Sequence, residues 1–375
     1  MLTPIRACGP DSQIHTRAES RTHGFSLKLE REIIEGTHNE TMDKMTMRMK
    51  VSPAVVLLVL SPLIGELLSG SAPPTEFFTP FGLTTLIGLY GCGALVIREI
   101  KFRWRKGIGS ILLLGAAYAI LEEGIMVASF FNPNWQDLGV LKGFGRWLEI
   151  NWVWTVELTI YHAIISVTVP IMLVELLFSR KRNEPWLSDK WLKIVAIILG
   201  LDVIIGFFLF STLLDYSPPL LQYVFMILVM ISFVVSAHRF PSDWMRRGNK
   251  SMRKPVFYGA LAFAGSLGFA IIFGILPGYS DSPIFPVIVI FLGVGLILGI
   301  FRILKRYKWR KAGDMHRFAL AAGSLLIFIL AAPIQELDTT RTDNPSGMIL
   351  VGLTALLCLI FLWRIVRKRD ADITN

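Results

Sequence analysis

Two adjacent glutamates, Glu122 and Glu123, interrupt the run AYAILEEGIMVASFF (residues 117–131), which is otherwise apolar enough to cross a bilayer. Two carboxylates this close do not both ionise easily, so one is expected to stay protonated while the other accepts a proton from water as a general base. His162, in the next apolar run, can stabilise an oxyanion or carry a proton. These residues predict hydrolysis inside the membrane, with Glu122, Glu123 and His162 as its catalytic residues.

The same three residues resemble a motif pair of the CAAX-processing and bacteriocin-processing membrane proteases, which combine a Glu-Glu motif with histidines on later helices. The resemblance implies hydrolysis of a peptide bond in the membrane. It is confined to these positions, because Val127 stands where that family has an arginine and Leu158 where it has a phenylalanine. A second histidine inside an apolar run is also missing, so the resemblance does not assign the chain to that family.

The composition is that of a membrane protein. Hydrophobic types make up 53% of the 375 residues, the mean hydropathy is +0.56 and 18% of residues are charged, against roughly a quarter in soluble domains. Apolar runs of about 20 residues, enough to cross roughly 30 Å of hydrocarbon as helices, recur along the chain. We predict ten spans, at 52–71, 81–99, 108–131, 153–178, 191–214, 218–237, 256–276, 283–303, 317–336 and 347–365.

Lysine and arginine are unevenly distributed among the connections between these spans. Every second connection is basic, as in KFRWRK, whereas SAPPTEFFTP and PGYSDSP contain neither residue. The positive-inside rule therefore places the basic connections and both termini in the cytoplasm. The net charge of +10 follows from this topology, so no nucleic-acid partner is predicted. The predicted fold class is all-α, a polytopic transmembrane helix bundle in the plasma membrane, with the lipid bilayer as its partner.

Ionisable residues within the spans are concentrated in one half of the chain. We predict a polar cytoplasmic tail at 1–50, a five-helix half with the acidic and histidine cluster at 51–215, a scaffold half at 216–366 and a short cytoplasmic tail at 367–375. Because an ionisable group in a bilayer is costly, it normally marks a functional pathway. The predicted supporting residues are Glu66, Glu157, Thr159, Ser166 and Asp202.

The helical rise places these groups at a common depth. Glu66, Glu122, Glu123 and His162 should lie roughly 9 to 14 Å below the external surface, and Glu157 about 6 Å below it. In the fourth span, one polar stripe is predicted from residues that recur at helical spacing: Thr155, Thr159, His162 and Ser166. Adjacent residues point about 100° apart, so one partner helix is not expected to satisfy both members of the Glu-Glu pair. The external segment 132–152 is either a lid over this slab or an interfacial membrane anchor.

Two other functions remain open from the sequence. A proton-coupled or ion-coupled transporter of a small solute would use the same acids and continue inward through Asp202. A structural role would have the glutamates as hydrogen-bonded links between helices. No cofactor and no metal is predicted, since HExxH, glycine-rich phosphate loops and CxxC spacings are absent. The substrate, a small molecule or a peptide, is expected to arrive from the external side.

Overall fold

The computed structural model describes residues 51–374 and confirms the predicted all-α polytopic bundle. In this part of the chain nine helices are long and apolar enough to cross a membrane, and a shorter apolar helix precedes them. The predicted tail 1–50 lies outside the described residues. The helices are α1 Pro53–Leu68, α2 Pro80–Arg103, α3 Ile108–Met126, α4 Trp152–Leu177, α5 Asp189–Leu213, α6 Leu220–Arg239, α7 Pro255–Tyr279, α8 Phe285–Lys305, α9 Asp314–Leu337 and α10 Met348–Ala371.

Helix α1 is shorter than the predicted span 52–71. Its end is set by Gly70, whose φ of +84° is a left-handed conformation that most side chains avoid. The chain then enters a second short helix, Pro74–Phe77, in which Pro74 occupies the first position. A proline fits there because that N–H has no partner within a helix.

Helices α1 to α4 pack closely because glycines lie at their contacts. A Cβ atom on Gly91 of α2 would lie 2.2 Å from the carbonyl oxygen of Leu58 in α1. A Cβ atom on Gly115 of α3 would lie 2.8 Å from Cα of Ala163 in α4. Small residues allow this close approach of helix backbones in a membrane. Accordingly, the apolar segments of α3 and α4 are 72% buried within the protein, against 17% for α5 to α8.

The loops at one end of the bundle fold over the helices. We call this end, formed by residues 69–79, 127–151 and 338–347, the distal end, and the opposite one the basic end. The distal end includes a small hairpin in which β1 (Arg146–Trp147) pairs antiparallel with β2 (Ile150–Asn151). Leu138 and Leu141 of the predicted lid or anchor are both buried, in a cluster with Phe130 and Phe131. This segment therefore packs onto the protein itself.

The second half of the chain also reaches the distal end. Gln335, in the last turn of α9, donates a hydrogen bond from Nε2 to the carbonyl oxygen of Ser69 at 2.8 Å. Arg341, in the loop after α9, donates from Nη2 to the carbonyl oxygen of Gly70 at 2.8 Å. The two bonds tie the loop after α1 to the end of α9 and the loop that follows it, so both halves build this face of the protein.

Candidate functional site

Four neighbouring helices widen into π-helical turns where they carry the candidate residues. In such a turn each N–H bonds the carbonyl five residues earlier, as Val127 does to Glu122 at 2.9 Å. π turns are rare and frequently lie at functional sites. They span Leu63–Leu68 in α1, Ile87–Gly91 in α2, Ile120–Met126 in α3 and His162–Thr168 in α4. Together they carry Glu66, Tyr90, Glu122, Glu123 and His162.

The carboxylate of Glu123 binds the imidazole of His162. Oε1 of Glu123 lies 3.1 Å from Nε2 of His162, and the hydroxyl of Ser129 donates a short hydrogen bond to the other carboxylate oxygen. Nε1 of Trp154 donates to Oγ of Ser129 at 3.1 Å, which orients that hydroxyl. An ionised carboxylate can only accept, so Nε2 of His162 is assigned as the donor and Nδ1 as an acceptor.

Glu122 faces the opposite nitrogen of the same ring. Its Oε2 lies 3.6 Å from Nδ1 of His162, and both atoms are buried without a hydrogen-bond partner. This distance is too long for a direct hydrogen bond, but a single water molecule could bond both atoms. The imidazole from α4 thus lies between the two glutamates but bonds Glu123 alone, so this one helix does not satisfy both, in agreement with the expectation.

A tyrosine that sequence reasoning missed connects Glu66 to this cluster. The hydroxyl of Tyr90 donates a short hydrogen bond to Oε1 of Glu66, and its ring centroid lies 5.8 Å from that of His162. Tyr118 is also adjacent, with its ring centroid 6.1 Å from that of His162 and its buried hydroxyl without a partner. The available signal was the composition of GLYGCG, residues 88–93, where a polar aromatic residue stands among small ones.

A cavity of about 880 Å³ extends from the cluster to the loops of the distal end. Its floor includes Glu122, Glu123 and His162, and its rim includes Trp135 and Arg341. The lining is rich in acidic residues, with one arginine and one histidine beside them. Its seven carboxyl groups are those of Glu66, Glu76, Glu122, Glu123, Asp137, Asp202 and Asp343.

The remaining predicted residues differ in their relation to this cavity. Asp202 lines it, and its Oδ2 is buried without a partner. Glu157, Thr159 and Ser166 are not among the lining residues. Oε2 of Glu157 is buried without a partner elsewhere, whereas the carbonyl oxygen of Ser166 accepts a hydrogen bond from Ser61 at 2.7 Å. Of the predicted polar stripe on α4, His162 alone reaches the cavity.

Charged groups at the rim are held by specific contacts. Nε of Arg341 donates to Oδ1 of Asp343 at 2.7 Å, and Nη2 donates a short bond to Oδ2. This pairing lowers the pKa of Asp343 below its ordinary value and raises that of Arg341. Burial raises the pKa of Asp137 and of Glu76. The rim arginine is thus already neutralised by its own neighbour.

The cluster also has the residue types of a metal site. Glu122, Glu123 and His162 each offer one ligand atom, and these atoms lie within 4.8 Å of one another. Imidazole nitrogen and carboxylate oxygen are both ligands of zinc. Glu123, however, already binds His162 and Ser129, which leaves Oε2 of Glu122 and Nδ1 of His162 as the unpartnered atoms.

The comparisons with known proteins agree with the helical membrane architecture. No curated protein and no solved structure matches the chain. One family model covers most of the chain, including α2 to α9, the four π turns and most of α1 and α10. The protein therefore belongs to an uncharacterized membrane protein family, whose model matches residues 55–369.

Proposed function

We propose that this multi-pass membrane protein is an intramembrane hydrolase that activates water with a carboxylate. The observation that carries the proposal is the imidazole of His162 held between Glu122 and Glu123 on the floor of an acidic cavity. By the positive-inside rule the distal end faces outward, which would put the site in the outer leaflet of the cell membrane.

The contacts suggest a distinct role for each of the three residues. Glu123 orients His162 through Nε2 and is itself oriented by Ser129. Glu122, whose Oε2 has no partner, is the general base for a water molecule placed between it and Nδ1 of His162. The hydrogen bonds around Glu123 resemble the arrangement in which one carboxylate fixes the tautomer of a catalytic histidine.

The reaction would proceed by attack of the water oxygen on a carbonyl carbon. Glu122 takes the proton of that water, and a tetrahedral oxyanion forms. The buried hydroxyl of Tyr118, which has no partner, is positioned near the cluster as a hydrogen-bond donor to this oxyanion. The bond from carbon to the leaving oxygen or nitrogen then breaks, and the leaving group takes the proton from Glu122, directly or through His162.

One observation favours a second candidate, a proton-coupled or ion-coupled transporter of a small solute. Asp202 lines the same cavity and has an unpartnered oxygen, as a carboxylate on a translocation path would. A structural role is supported by the bonds of Glu66 to Tyr90 and of Glu123 to Ser129. Neither alternative accounts for the unpartnered pair formed by Glu122 and His162.

The proposal is tested by isotope incorporation. Lipid and peptide extracts are compared between cells that express the protein and cells that express Glu122→Gln, and species that accumulate with the variant are candidate substrates. These are incubated with the purified protein in water enriched in ¹⁸O. Hydrolysis puts one ¹⁸O atom into the carboxyl product, whereas a transporter returns the compound unchanged.

Glu157→Gln is the matched control, because it makes the same chemical change at a glutamate outside the cavity whose Oε2 is also buried without a partner. We expect this control to retain ¹⁸O incorporation and Glu122→Gln to lose it. Equal product formation by Glu122→Gln and the unsubstituted protein would overturn the proposed mechanism.

A further inference from the structure

Helices α2 and α5 form one wall of the cavity, and they are in contact along only part of their length. Near the middle of the membrane the two helices touch, since a Cβ atom on Gly88 of α2 would lie 3.1 Å from Cγ of Asp202 in α5. From there toward the basic end, α5 packs along α2. Toward the distal end, extensive packing between these helices ends, and their side chains line the cavity instead: Phe81, Thr85 and Leu86 from α2, and Ile205, Leu209 and Phe210 from α5.

Two of these side chains lie at an opening in the wall. Phe81 and Ile205 both line the cavity, yet they are 58% and 59% exposed. Their neighbours Leu83 and Ile204 are also exposed but do not line the cavity, as expected for residues that face lipid. A side chain that meets both the cavity and the exterior of the bundle marks a lateral gap.

The gap spans the depth of the candidate site. Phe81 is one residue from the distal end of α2 at Pro80, and Ile205 is eight residues from the distal end of α5 at Leu213, or roughly 12 Å at 1.5 Å per residue. Glu122 is four residues from the end of α3 at Met126, or roughly 6 Å. Ile205 and Glu122 both fall within the hydrocarbon of one leaflet, which is roughly 15 Å thick. The deeper part of the gap therefore opens toward lipid chains at the level of the cluster.

The charge of the cavity limits what can enter. Seven carboxyl groups line it, and Arg341, its single arginine, is paired with one of them, Asp343, which leaves six others. An anionic head group would face carboxylates at every level from Glu76 at the rim to Glu122 at the floor. A neutral or cationic polar group meets no such repulsion.

We infer that the cavity takes its substrate sideways from the membrane, as an amphiphile with an apolar chain and an uncharged or cationic polar end. The chain lies in the gap between Phe81 and Ile205, and the polar end, with its ester or amide carbonyl, reaches Glu122 and His162. The identification of this amphiphile as a substrate rests on the proposed hydrolysis. Its route of entry rests on the cavity wall alone.

The route is tested by photolabelling of the full-length protein in lipid nanodiscs. Three probes share one alkyl chain, which carries a diazirine and an alkyne, and differ in the head group: a primary amide, an amine and a carboxylate. We expect the amide and amine probes to label residues 80–91 and 201–214 several-fold more than the lipid-facing helix α8. The carboxylate probe should show no such preference.

Blocking variants make the test specific to the gap. Ile205→Trp fills the opening, whereas Ile204→Trp adds the same bulk to an adjacent exposed position that does not line the cavity. Labelling of 80–91 should fall several-fold in Ile205→Trp and not in Ile204→Trp. Leu86→Trp, with Leu83→Trp as its control, repeats the comparison from α2 if Ile205→Trp does not fold. Equal labelling of all lipid-facing helices, unchanged by both blocking variants, would overturn lateral entry.

Failure of this inference can be distinguished from failure of the proposed function. Labelling requires no water activation and is measured on the unsubstituted protein, independently of ¹⁸O incorporation. Preferential labelling without any ¹⁸O product would leave lateral entry standing and reject hydrolysis. Conversely, ¹⁸O product with uniform labelling would retain hydrolysis and reject entry from the membrane.

Discussion

Oε1 of Glu123 lies 3.1 Å from Nε2 of His162, although 39 residues separate the two in the chain. Glu123 is held on its other oxygen by Ser129, so this carboxylate has a partner on each side. Its sequence neighbour Glu122 has an oxygen with none. Two adjacent residues of identical type thus have different surroundings, which leads to opposite expectations for their replacement.

We predict that Glu122→Gln and Glu123→Gln have different effects on the stability of the protein. Glu123→Gln weakens two buried hydrogen bonds and should lower the free energy of unfolding by about 1 to 3 kcal/mol. Glu122→Gln replaces a buried carboxylate without a partner on Oε2, so stability should be unchanged or higher while activity is lost. Thermal unfolding of the purified variants in one detergent measures the difference. Equal destabilisation by both would favour the structural role of the glutamates.

The effect of Asp202→Asn should distinguish a hydrolase from a transporter. Asp202 lines the cavity but belongs to a different helix from each residue of the cluster. A hydrolase that uses Glu122 as its base should therefore retain ¹⁸O incorporation in Asp202→Asn. A proton-coupled or ion-coupled carrier should lose solute uptake into vesicles in the same variant, because the neutral amide cannot bind or release a proton. Loss of both activities together would contradict the proposed mechanism.

The close contact of α1 and α2 predicts a cost for Gly91→Ala. The added methyl group would lie 2.2 Å from the carbonyl oxygen of Leu58, so the helices must separate. Such overpacking typically costs about 1 to 3 kcal/mol. Gly200→Ala is the control, since nothing lies within 4 Å of its Cβ position and alanine favours a helix by about 1 kcal/mol. Melting temperatures that fall equally in both variants would show that close packing at Gly91 is not the cause.

The pairing of Arg341 with Asp343 predicts a pH-dependent contribution to stability. Arg341 lowers the pKa of Asp343 in the folded protein, so the pairing stabilises the fold above the unfolded pKa of about 4. The contribution is lost as the pH falls through the lower, folded value. The difference in melting temperature between the protein and Asp343→Asn should therefore be constant from pH 7 to about pH 5 and shrink below about pH 4. A difference that grows on acidification would contradict this assignment.

Metal removal tests whether the cluster works with carboxylate and imidazole alone. Glu123 and Nε2 of His162 already bind one another, and a zinc site usually needs three or four free protein ligands. We therefore expect dialysis against a chelator to leave ¹⁸O incorporation unchanged. Added zinc should shift the melting temperatures of the protein and of His162→Gln equally. A zinc-dependent shift that His162→Gln abolishes would assign the cluster as a metal centre.

Much of this molecule could be predicted from local sequence properties. Long apolar runs determine the helices because a backbone in lipid must satisfy its own hydrogen bonds. The intramembrane positions of Glu122, Glu123 and His162 follow from the same runs, since a charged residue within one stands out by composition. Their common depth, estimated from the helical rise of about 1.5 Å per residue, stays a prediction.

The rotation of each helix was decided only by the tertiary structure. Glu157 and His162 lie on one helix in the same predicted slab, yet His162 reaches the cavity and Glu157 does not. The π turns at Ile120–Met126 and His162–Thr168 change the angle between successive side chains, and no local pattern in the sequence announces them. Tyr90 joins the site, and Arg341 its rim, through contacts between segments far apart in the chain. Such contacts depend on how the helices pack around their glycines, which hydropathy and periodicity do not specify.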